Sequence, residues 1–250
     1  MSSRLVITRI DNGVATVRMD DPGSHNALSR SMVAELEGAL TAVSKSSDAR
    51  VVVIEGLPDY FCSGASREVL EAILDGGVDA RDLFLPRTVL DVPKPVIAAM
   101  EGHAIGGGLA LGLCADIVLV ARESRYGANF MNYGFTPGMG ITMLLEYAIG
   151  PMLGHELLLT GELVKGAEFQ YRGGFSRVVE KREVLSRAHE IAARIAEKPP
   201  EATSVLKTVL SARKRAMFES ARASEITMHK LTFREETVRH LIREEFGGLG

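Results

Sequence analysis

The chain has 250 residues, of which 46% are apolar and 24% charged, and its formal net charge is −3 at pH 7. This composition is ordinary for a globular protein and excludes disulfide scaffolds, collagen and disordered chains. The small negative charge provides no basic surplus, so no nucleic-acid partner is expected.

Cysteine content and the distribution of apolar residues predict a cytoplasmic protein without a membrane span. Cys62 and Cys114 do not form a C-x-x-C pair, and so few thiols favour a reducing compartment. Charged residues at positions 4, 9 and 11 interrupt the first apolar residues, which argues against a signal peptide. The longest apolar runs, such as residues 117–121, have the length of a strand.

The first predicted element is a β-hairpin. Residues 5–10 and 14–19 flank an Asn-Gly pair, which tolerates the positive φ angles of a tight turn. After a loop rich in turn residues, Ser29 can cap a helix that runs to about Val43, with apolar residues at helical spacing. The β-branched run at 51–56 then predicts a buried strand.

Strands and helices continue to alternate as far as about residue 180, which predicts an α/β fold. The expected elements are a small-residue loop at 61–66, a helix at 68–74, a polar, mobile loop at 75–82, a strand in 95–102, a helix opened by the glycines at 106–108 and a strand at 116–121. Residues 126–142 are expected to be a strand followed by a structured loop, and helices dominate from Met139.

A Lys-Pro-Pro step at 198–200 marks the predicted boundary of the core, because proline disfavours a helix before it and begins one well. The chain therefore divides into a core at 1–198 and a helical region at 199–250. Residues 199–246 are expected to form two or three amphipathic helices that pack on the core or on a neighbouring subunit.

Three glycines at 106–108 stand where a predicted strand passes into a helix. Bare backbone N–H groups at such a point stabilise an anion or a developing oxyanion. The loop at 61–66 also follows a strand and could supply a second N–H group. Equally, the glycines could serve only to let the helix and the strand pack closely.

Several segments together resemble the crotonase (enoyl-CoA hydratase/isomerase) superfamily: the hairpin, HNAL at 25–28, FCSGA at 61–65, PVIAAMEGHAIGGG at 95–108, CADIVLVA at 114–121 and TPGMG at 136–140. The resemblance implies a spiral of ββα turns with a C-terminal helical region that serves in oligomerisation and covers the active site. It also implies a homotrimer or a hexamer. In that family two backbone N–H groups stabilise a thioester enolate, and the matching donors here are those of Ala65 and Gly107.

The hydratases of that superfamily carry two catalytic glutamates, and the matching positions here are Ala110 and Phe130. Hydration needs a base that activates water and an acid that protonates carbon. Decarboxylation needs neither a base nor a carboxylate, because the departing CO₂ leaves the electron pair behind. Two apolar residues at these positions therefore favour decarboxylation.

Residues 102–119, ANFMNYGFTPGMG at 128–140 and MHKLTF at 228–233 resemble the crotonase-like decarboxylases of polyketide β-branching. The resemblance implies CO₂ loss from a 3-methylglutaconyl group on acyl carrier protein, leaving a 3-methylcrotonyl thioester. It assigns the proton to His229. Further candidates for contact with the substrate are Gly106, Ala110, Asn129, Phe130 and Tyr133, although the Tyr133 hydroxyl could instead satisfy a backbone group. The helix after FCSGA offers only Arg67, where some relatives place lysine and tyrosine.

Alternatives remain at several of these positions. His229 could be a core or surface histidine, and Glu225 could orient it or be solvated. Asp116 is expected to cap or pair structurally, and the basic run at 207–215 to form a solvated helix face. Another crotonase activity and a non-catalytic acyl-thioester binder are the rival functions. No cofactor is expected, and no spacing of side chains suggests a metal site.

Overall fold

The computed structural model describes residues 4–77 and 85–246, so most of the predicted loop at 75–82 lies outside the described residues. Ten strands in that part of the chain form a six-stranded sheet, β1-β2-β3-β5-β7-β10, and a four-stranded sheet, β4-β6-β8-β9. The strands are β1 (Val6–Asp11), β2 (Val14–Met19), β3 (Val51–Glu55), β4 (Tyr60–Cys62), β5 (Val96–Met100), β6 (His103–Ile105), β7 (Ile117–Ala121), β8 (Arg125–Gly127), β9 (Leu163–Lys165) and β10 (Arg177–Val179).

The helices follow the strands in a regular order. Two strands, one in each sheet, are followed by a helix, as in β3–β4–α2 and β5–β6–α4, which confirms the predicted spiral of ββα turns. The helices are α1 (Arg30–Lys45), α2 (Arg67–Leu74), α3 (Leu85–Leu90), α4 (Gly107–Leu113), α5 (Ile141–Ile149), α6 (Pro151–Thr160), α7 (Val184–Ala196), α8 (Pro200–Thr232) and α9 (Glu236–His240).

The first elements form as their local sequence predicts. β1 and β2 pair antiparallel around Asn12 and Gly13, whose φ angles of 48° and 82° suit a tight turn. The Ser29 side chain accepts a hydrogen bond from the Met32 N–H and caps α1. The short strands β6 and β9 were not predicted, because three residues carry too little periodicity to reveal a strand.

The six-stranded sheet separates two apolar layers. β3 and β5 are buried along their whole length, as expected of central parallel strands. On one face, side chains such as Ile54 and Ala98 join the main core with α1 and α4. On the other face, α7 packs its small residues Ala188 and Ala192 against Val53 of β3.

The tail of the chain is helical, as predicted. α8 begins with Pro200 in its first turn, runs for 33 residues and buries Phe218 in the main core. α9 and a π-helical turn at Leu241–Glu245 follow it. Within 4–77 and 85–246, the helices all lack the combination of length and apolar character that crossing a membrane requires.

The basic run at 207–215 is not a solvated face throughout, so that expectation was wrong. The Lys207 Nζ lies 2.8 and 2.7 Å from the two carboxylate oxygens of Asp116, and Lys207 is only 3% exposed. Asp116 also accepts hydrogen bonds from the Val96 N–H and the Ser211 hydroxyl, which confirms its structural role. The Lys214 Nζ donates to the Leu113 and Ala115 carbonyls. Buried acceptors on the core therefore draw two of these lysines inward.

Replacing Lys207 by methionine is expected to destabilise the protein by about 3 kcal/mol, because it leaves the Asp116 carboxylate without its cation. Urea unfolding measures this free energy. Lys230→Met removes an exposed lysine of the same helix and should change it by less than about 0.5 kcal/mol. Equal losses in the two variants would contradict a stabilising pair at Lys207.

A second ion pair makes stability depend on pH. The His189 Nε2 lies 2.6 Å from the Glu55 carboxylate, and this hydrogen bond raises the pKa of His189 above its ordinary value of 6.5, although burial opposes the shift. A raised folded-state pKa stabilises the fold below the unfolded pKa and loses that effect as pH rises through the folded value. The Tm advantage of the natural protein over Glu55→Gln should therefore be largest below pH 6.5 and shrink as the pH rises above that value. A difference that stays constant as the pH rises would contradict the prediction.

Candidate active site

A cavity of about 760 Å³ lies where the spiral meets α8. Its walls come from the loop before α1, the β4–α2 loop, the β6–α4 turn, the segment at 129–139 and α8. The described lining includes most of the predicted site residues: Ala65, Arg67, Gly106, Gly107, Asn129, Phe130, Tyr133 and His229. The fold thus brings together side chains that are up to 164 positions apart in the sequence.

The two predicted oxyanion donors lie on adjoining loops. Ala65 pairs with Leu28 in a parallel bridge, supported by a 2.7 Å hydrogen bond from the Leu28 N–H to the Gly64 carbonyl. A Cβ atom placed on Gly64 would lie 3.3 Å from the Gly107 nitrogen, so the two loops touch. Gly107 is the first residue of α4, and N–H groups of a first turn have no acceptor within their own helix. Its N–H is consequently available to an anion in the cavity.

Close backbone packing explains why glycines recur at this point. A Cβ on Gly108 would lie 2.2 Å from the Cys62 carbonyl oxygen, which no side chain can accommodate. Close packing therefore accounts for Gly108, which lets α4 approach the strand β4. Gly107 lines the cavity, and its role as an oxyanion donor stays a prediction.

His229 lines the cavity from the last turns of α8 and is 9% exposed. Its Nε2 lies 2.9 Å from the Thr136 carbonyl oxygen, which can only accept, so Nε2 carries the proton. Nδ1 is buried without a hydrogen-bond partner among the described residues. Burial lowers the pKa of His229, and hydrogen bonding to the Thr136 and Pro137 carbonyls opposes this. The lowered pKa favours the neutral imidazole, and Nδ1 is the ring nitrogen without a protein partner among the described residues.

Aromatic side chains line the cavity beside His229. Phe130 meets Phe135 edge to face with ring centroids 5.8 Å apart, Phe135 lies 4.9 Å from Phe233, and Phe233 lies 5.4 Å from the His229 ring. These contacts form a continuous apolar wall that excludes water from the space it borders. Phe130 therefore contributes an apolar ring to the cavity wall, as expected of this position.

Tyr133 and Asn129 also reach the cavity, but in different environments. Tyr133 is buried, and its ring lies 4.7 Å from that of Phe246. Asn129 is half-buried, and its Oδ1 lies 3.2 Å from the position that a Cβ on Gly106 would take. Its amide is thus held beside the turn that carries the predicted donor Gly107.

Arg67 lines the cavity, but its guanidinium is engaged elsewhere. Its Nη1 donates a 2.7 Å hydrogen bond to the Arg243 carbonyl, and its Nη2 donates to the Phe246 carbonyl. Asp75, at the end of α2, binds Arg239 and Arg243 at 3.3 and 3.0 Å. α2 therefore holds the end of the described chain against the cavity, and Arg67 acts in that contact rather than as a free cation.

Ala110 does not line the cavity, contrary to the expectation of a substrate contact. It is fully buried in α4 and its methyl group, which extends one carbon from the backbone, ends in the main core. Position 110 therefore contributes to the core behind the described cavity wall.

Carboxylates are nearly absent from the described cavity walls. Glu37 is the one acidic residue of that described lining. Its carboxylate accepts a hydrogen bond from the Thr88 hydroxyl at 3.4 Å. Glu225 is 3% exposed, so the interpretation of it as solvated was wrong, and it makes no direct hydrogen bond to His229 among the described contacts. Its oxygens instead accept from Gly140 and Thr142.

Two further histidines and the two cysteines are packed against neighbouring groups. His103 accepts a hydrogen bond from the Arg125 N–H through Nδ1, which indicates a structural role. His25 stacks on Tyr60 with ring centroids 4.3 Å apart at the cavity wall. Cys62 and Cys114 are buried, and burial raises the pKa of both thiols to about 12. Among the described side chains, His, Cys, Asp and Glu do not form a group of three that could hold a metal ion.

Comparison with known proteins agrees with this arrangement. The sequence profile of the enoyl-CoA hydratase/isomerase family matches residues 9–245. The chain belongs to this family. It is 38% identical over 241 residues to the bacillaene synthase decarboxylase PksI of Bacillus subtilis strain 168, a match that covers 96% of this chain and 97% of PksI.

Two solved structures of this family are similar over almost their whole length. One comes from a dehydratase/decarboxylase enzyme couple involved in polyketide β-branching; it is 38% identical, has a TM-score of 0.93 and covers 97% of this chain and 99% of its own. The other is the ECH2 decarboxylase domain of CurF from Lyngbya majuscula, 38% identical with a TM-score of 0.90, covering 98% and 100%. Both the predicted crotonase fold and the narrower resemblance to the decarboxylases are confirmed.

Sequence reasoning missed one residue at the centre of the site. Met139 lines the cavity with a φ of 63°, and its sulfur lies 2.7 Å from the position that a Cβ on Gly107 would take. The TPGMG motif was visible in the sequence, but a methionine gives no sign of a left-handed backbone because such a conformation is rare for it.

Proposed function

We propose that this protein decarboxylates a 3-methylglutaconyl thioester carried on acyl carrier protein in polyketide β-branching. The observation that carries the proposal is a largely apolar cavity whose described lining holds the predicted backbone donors, a buried histidine and a single carboxylate, that of Glu37. The similarity to PksI and to the CurF domain, both of which are named decarboxylases, supports the same reaction.

The reaction follows from this arrangement. The bond between the substrate's carboxylate carbon and its neighbouring methylene breaks, CO₂ leaves, and the electron pair passes through the double bond to the thioester oxygen. The N–H groups of Ala65 and Gly107 stabilise the negative charge on that oxygen. One proton then adds to the terminal carbon and gives a 3-methylcrotonyl thioester.

His229 supplies that proton. A substrate carboxylate in the cavity favours the charged imidazolium and so raises the pKa of His229 from the value lowered by burial. Its Nε2–H stays on the Thr136 carbonyl, and Nδ1, which is buried without a partner among the described residues, is the nitrogen that would carry the proton to the substrate. When CO₂ departs, the negative charge moves from the carboxylate into the dienolate, and the imidazolium then transfers its proton to the terminal carbon of that dienolate.

The remaining predicted contacts take positions around the acyl chain. Phe130 keeps the space dry, which weakens the hydration of the carboxylate, and Gly106, Asn129 and Tyr133 border the thioester side. Arg67 secures the covering segment rather than the carboxylate. The reaction requires no metal and no cofactor other than the phosphopantetheine arm that carries the substrate.

A mass-spectrometric assay tests the reaction. The purified protein is incubated with the 3-methylglutaconyl thioester of acyl carrier protein and, separately, of coenzyme A. We expect the loss of one CO₂ from the carrier-bound acyl group, and a slower reaction with coenzyme A. Loss of water, addition of water, or an unchanged mass after long incubation at high enzyme concentration would each reject the proposal.

We also propose that the protein is a homotrimer or a hexamer. α8 exposes an apolar face formed by Val205, Leu206, Val209 and Leu210, each at least 57% exposed. An exposed apolar face on an otherwise polar helix marks an interaction site. Light scattering should give the mass of three or six chains, and Leu210→Glu should lower it; a natural protein that is monomeric at all concentrations would reject this assembly.

A further inference from the structure

Glu225 is a buried carboxylate for which the reaction above has no use. It is 3% exposed and lies one helical turn before His229 on α8, outside the cavity lining. Its Oε2 accepts from the Gly140 N–H at 2.7 Å, and its Oε1 accepts from the Thr142 N–H at 3.2 Å and from the Thr142 hydroxyl at 2.7 Å. Burial raises the pKa of Glu225, and these hydrogen bonds oppose that effect.

The donors to Glu225 belong to the start of α5, whose N-cap residue is Gly140. A glycine has no side chain with which to cap a helix, so Glu225 provides the cap from another helix. The positive end of the α5 dipole also favours a carboxylate at this place. Glu225 thus fixes one end of the loop at 136–142.

The other end of the same loop is held by residues further along α8. The His229 ring donates to the Thr136 carbonyl at 2.9 Å, and the Thr136 N–H donates to the Thr232 hydroxyl at 3.4 Å. Between the two ends, a Cβ on Gly138 would lie 2.6 Å from the His229 ring, so the loop backbone contacts the imidazole directly. A shift of this loop therefore moves the groups that orient His229.

Met139 lies between these two anchors in a strained conformation. Its φ of 63° is unfavourable for a residue with a side chain, and such strain persists only where the surroundings enforce it. The conformation directs the Met139 sulfur against Gly107, beside the proposed oxyanion donor. Met139 is adjacent to Gly140, whose N–H is bound to Glu225.

We propose that Glu225 is a positioning residue: by holding Gly140 and Thr142 it keeps Met139 against Gly107 and the Thr136 carbonyl on the His229 ring. It touches neither the substrate nor the reacting atoms. The inference rests on the proposed function, because it concerns the two groups that stabilise the oxyanion and deliver the proton.

The test compares Glu225→Gln with Glu35→Gln. Glu35 is a matched control because its carboxylate also accepts two backbone hydrogen bonds, from Leu5 at 2.9 Å and from Val6 at 3.1 Å, and it does not line the cavity. Both variants are expected to lower Tm. Only Glu225→Gln should lower kcat, by up to about 10²-fold, with a smaller change in KM. Displacing catalytic groups by about 1 Å can lower the rate by this factor.

A second readout does not depend on turnover. The ¹⁵N chemical shifts of the His229 ring, assigned by their loss in His229→Gln, report the Nε2–H bond to Thr136. We expect them to change in Glu225→Gln and to stay unchanged in Glu35→Gln. If the natural protein decarboxylates nothing, the proposed function fails while the shifts still decide the role of Glu225.

Thr142→Val provides the answer if Glu225→Gln does not fold, since it removes one of the three hydrogen bonds and keeps the shape of the side chain. We expect a smaller loss of kcat and a smaller shift change in the same directions. Folded variants at Glu225 or Thr142 with natural kcat and natural His229 shifts would overturn the proposal.

Discussion

Replacing His229 by glutamine is expected to lower the rate of CO₂ release and product formation by about 10²–10⁴-fold, the usual contribution of a general acid. Glutamine can still donate a hydrogen bond to the Thr136 carbonyl, as the natural Nε2 does at 2.9 Å. It cannot hand a proton to carbon, because an amide is far too weak an acid. The assay follows the mass of the carrier-bound acyl group at a series of times.

His155→Gln is the matched control for this variant. His155 lies on α6, is more than half exposed and does not line the cavity, so its loss should leave the rate unchanged. The pH profile adds a second criterion, since a proton donor at position 229 predicts activity that falls as pH rises. Near-natural turnover by His229→Gln would remove this residue from the mechanism.

The parts of the structure that the sequence predicted depend on local patterns. The Asn12-Gly13 turn and the Ser29 cap are each set by a few consecutive residues, and both form as expected. The absence of acidic residues at 110 and 130 is also visible directly in the sequence, and by comparison with the hydratases it points to decarboxylation.

The parts that the sequence could not give depend on contacts between distant segments. Lys207 is buried because Asp116, 91 residues earlier, accepts its hydrogen bonds, and the helical pattern around Lys207 carries no trace of this. The backbone strain at Met139 arises because residues on α8 hold both ends of its loop. In the same way, only the fold reveals that Ala110 stops short of the cavity.

The oxyanion loops provide the second large expected effect, through Gly64. This residue is buried with a φ of 92°, and a Cβ there would lie 2.8 Å from the Ile105 carbonyl oxygen and 3.3 Å from the Gly107 nitrogen. Gly64→Ala must therefore force the β4–α2 loop away from the β6–α4 turn. Because the proposed donors Ala65 and Gly107 lie on those two segments, we expect that their N–H groups can then no longer point to one oxygen atom.

The expected result for Gly64→Ala is a loss of kcat of about 10²–10³-fold, the effect of removing one oxyanion donor. Gly173→Ala separates this loss from backbone strain, because Gly173 has a similar φ of 76° but a Cβ there meets no atom within 4 Å. An alanine at positive φ is strained, so both variants should have a lower Tm than the natural protein. Only Gly64→Ala should lower kcat. Circular dichroism confirms that each variant is folded before turnover is compared. If Gly64→Ala folds and retains natural kcat, the Ala65 and Gly107 N–H groups do not act together on the thioester oxygen, because separating them would then have no consequence for the transition state.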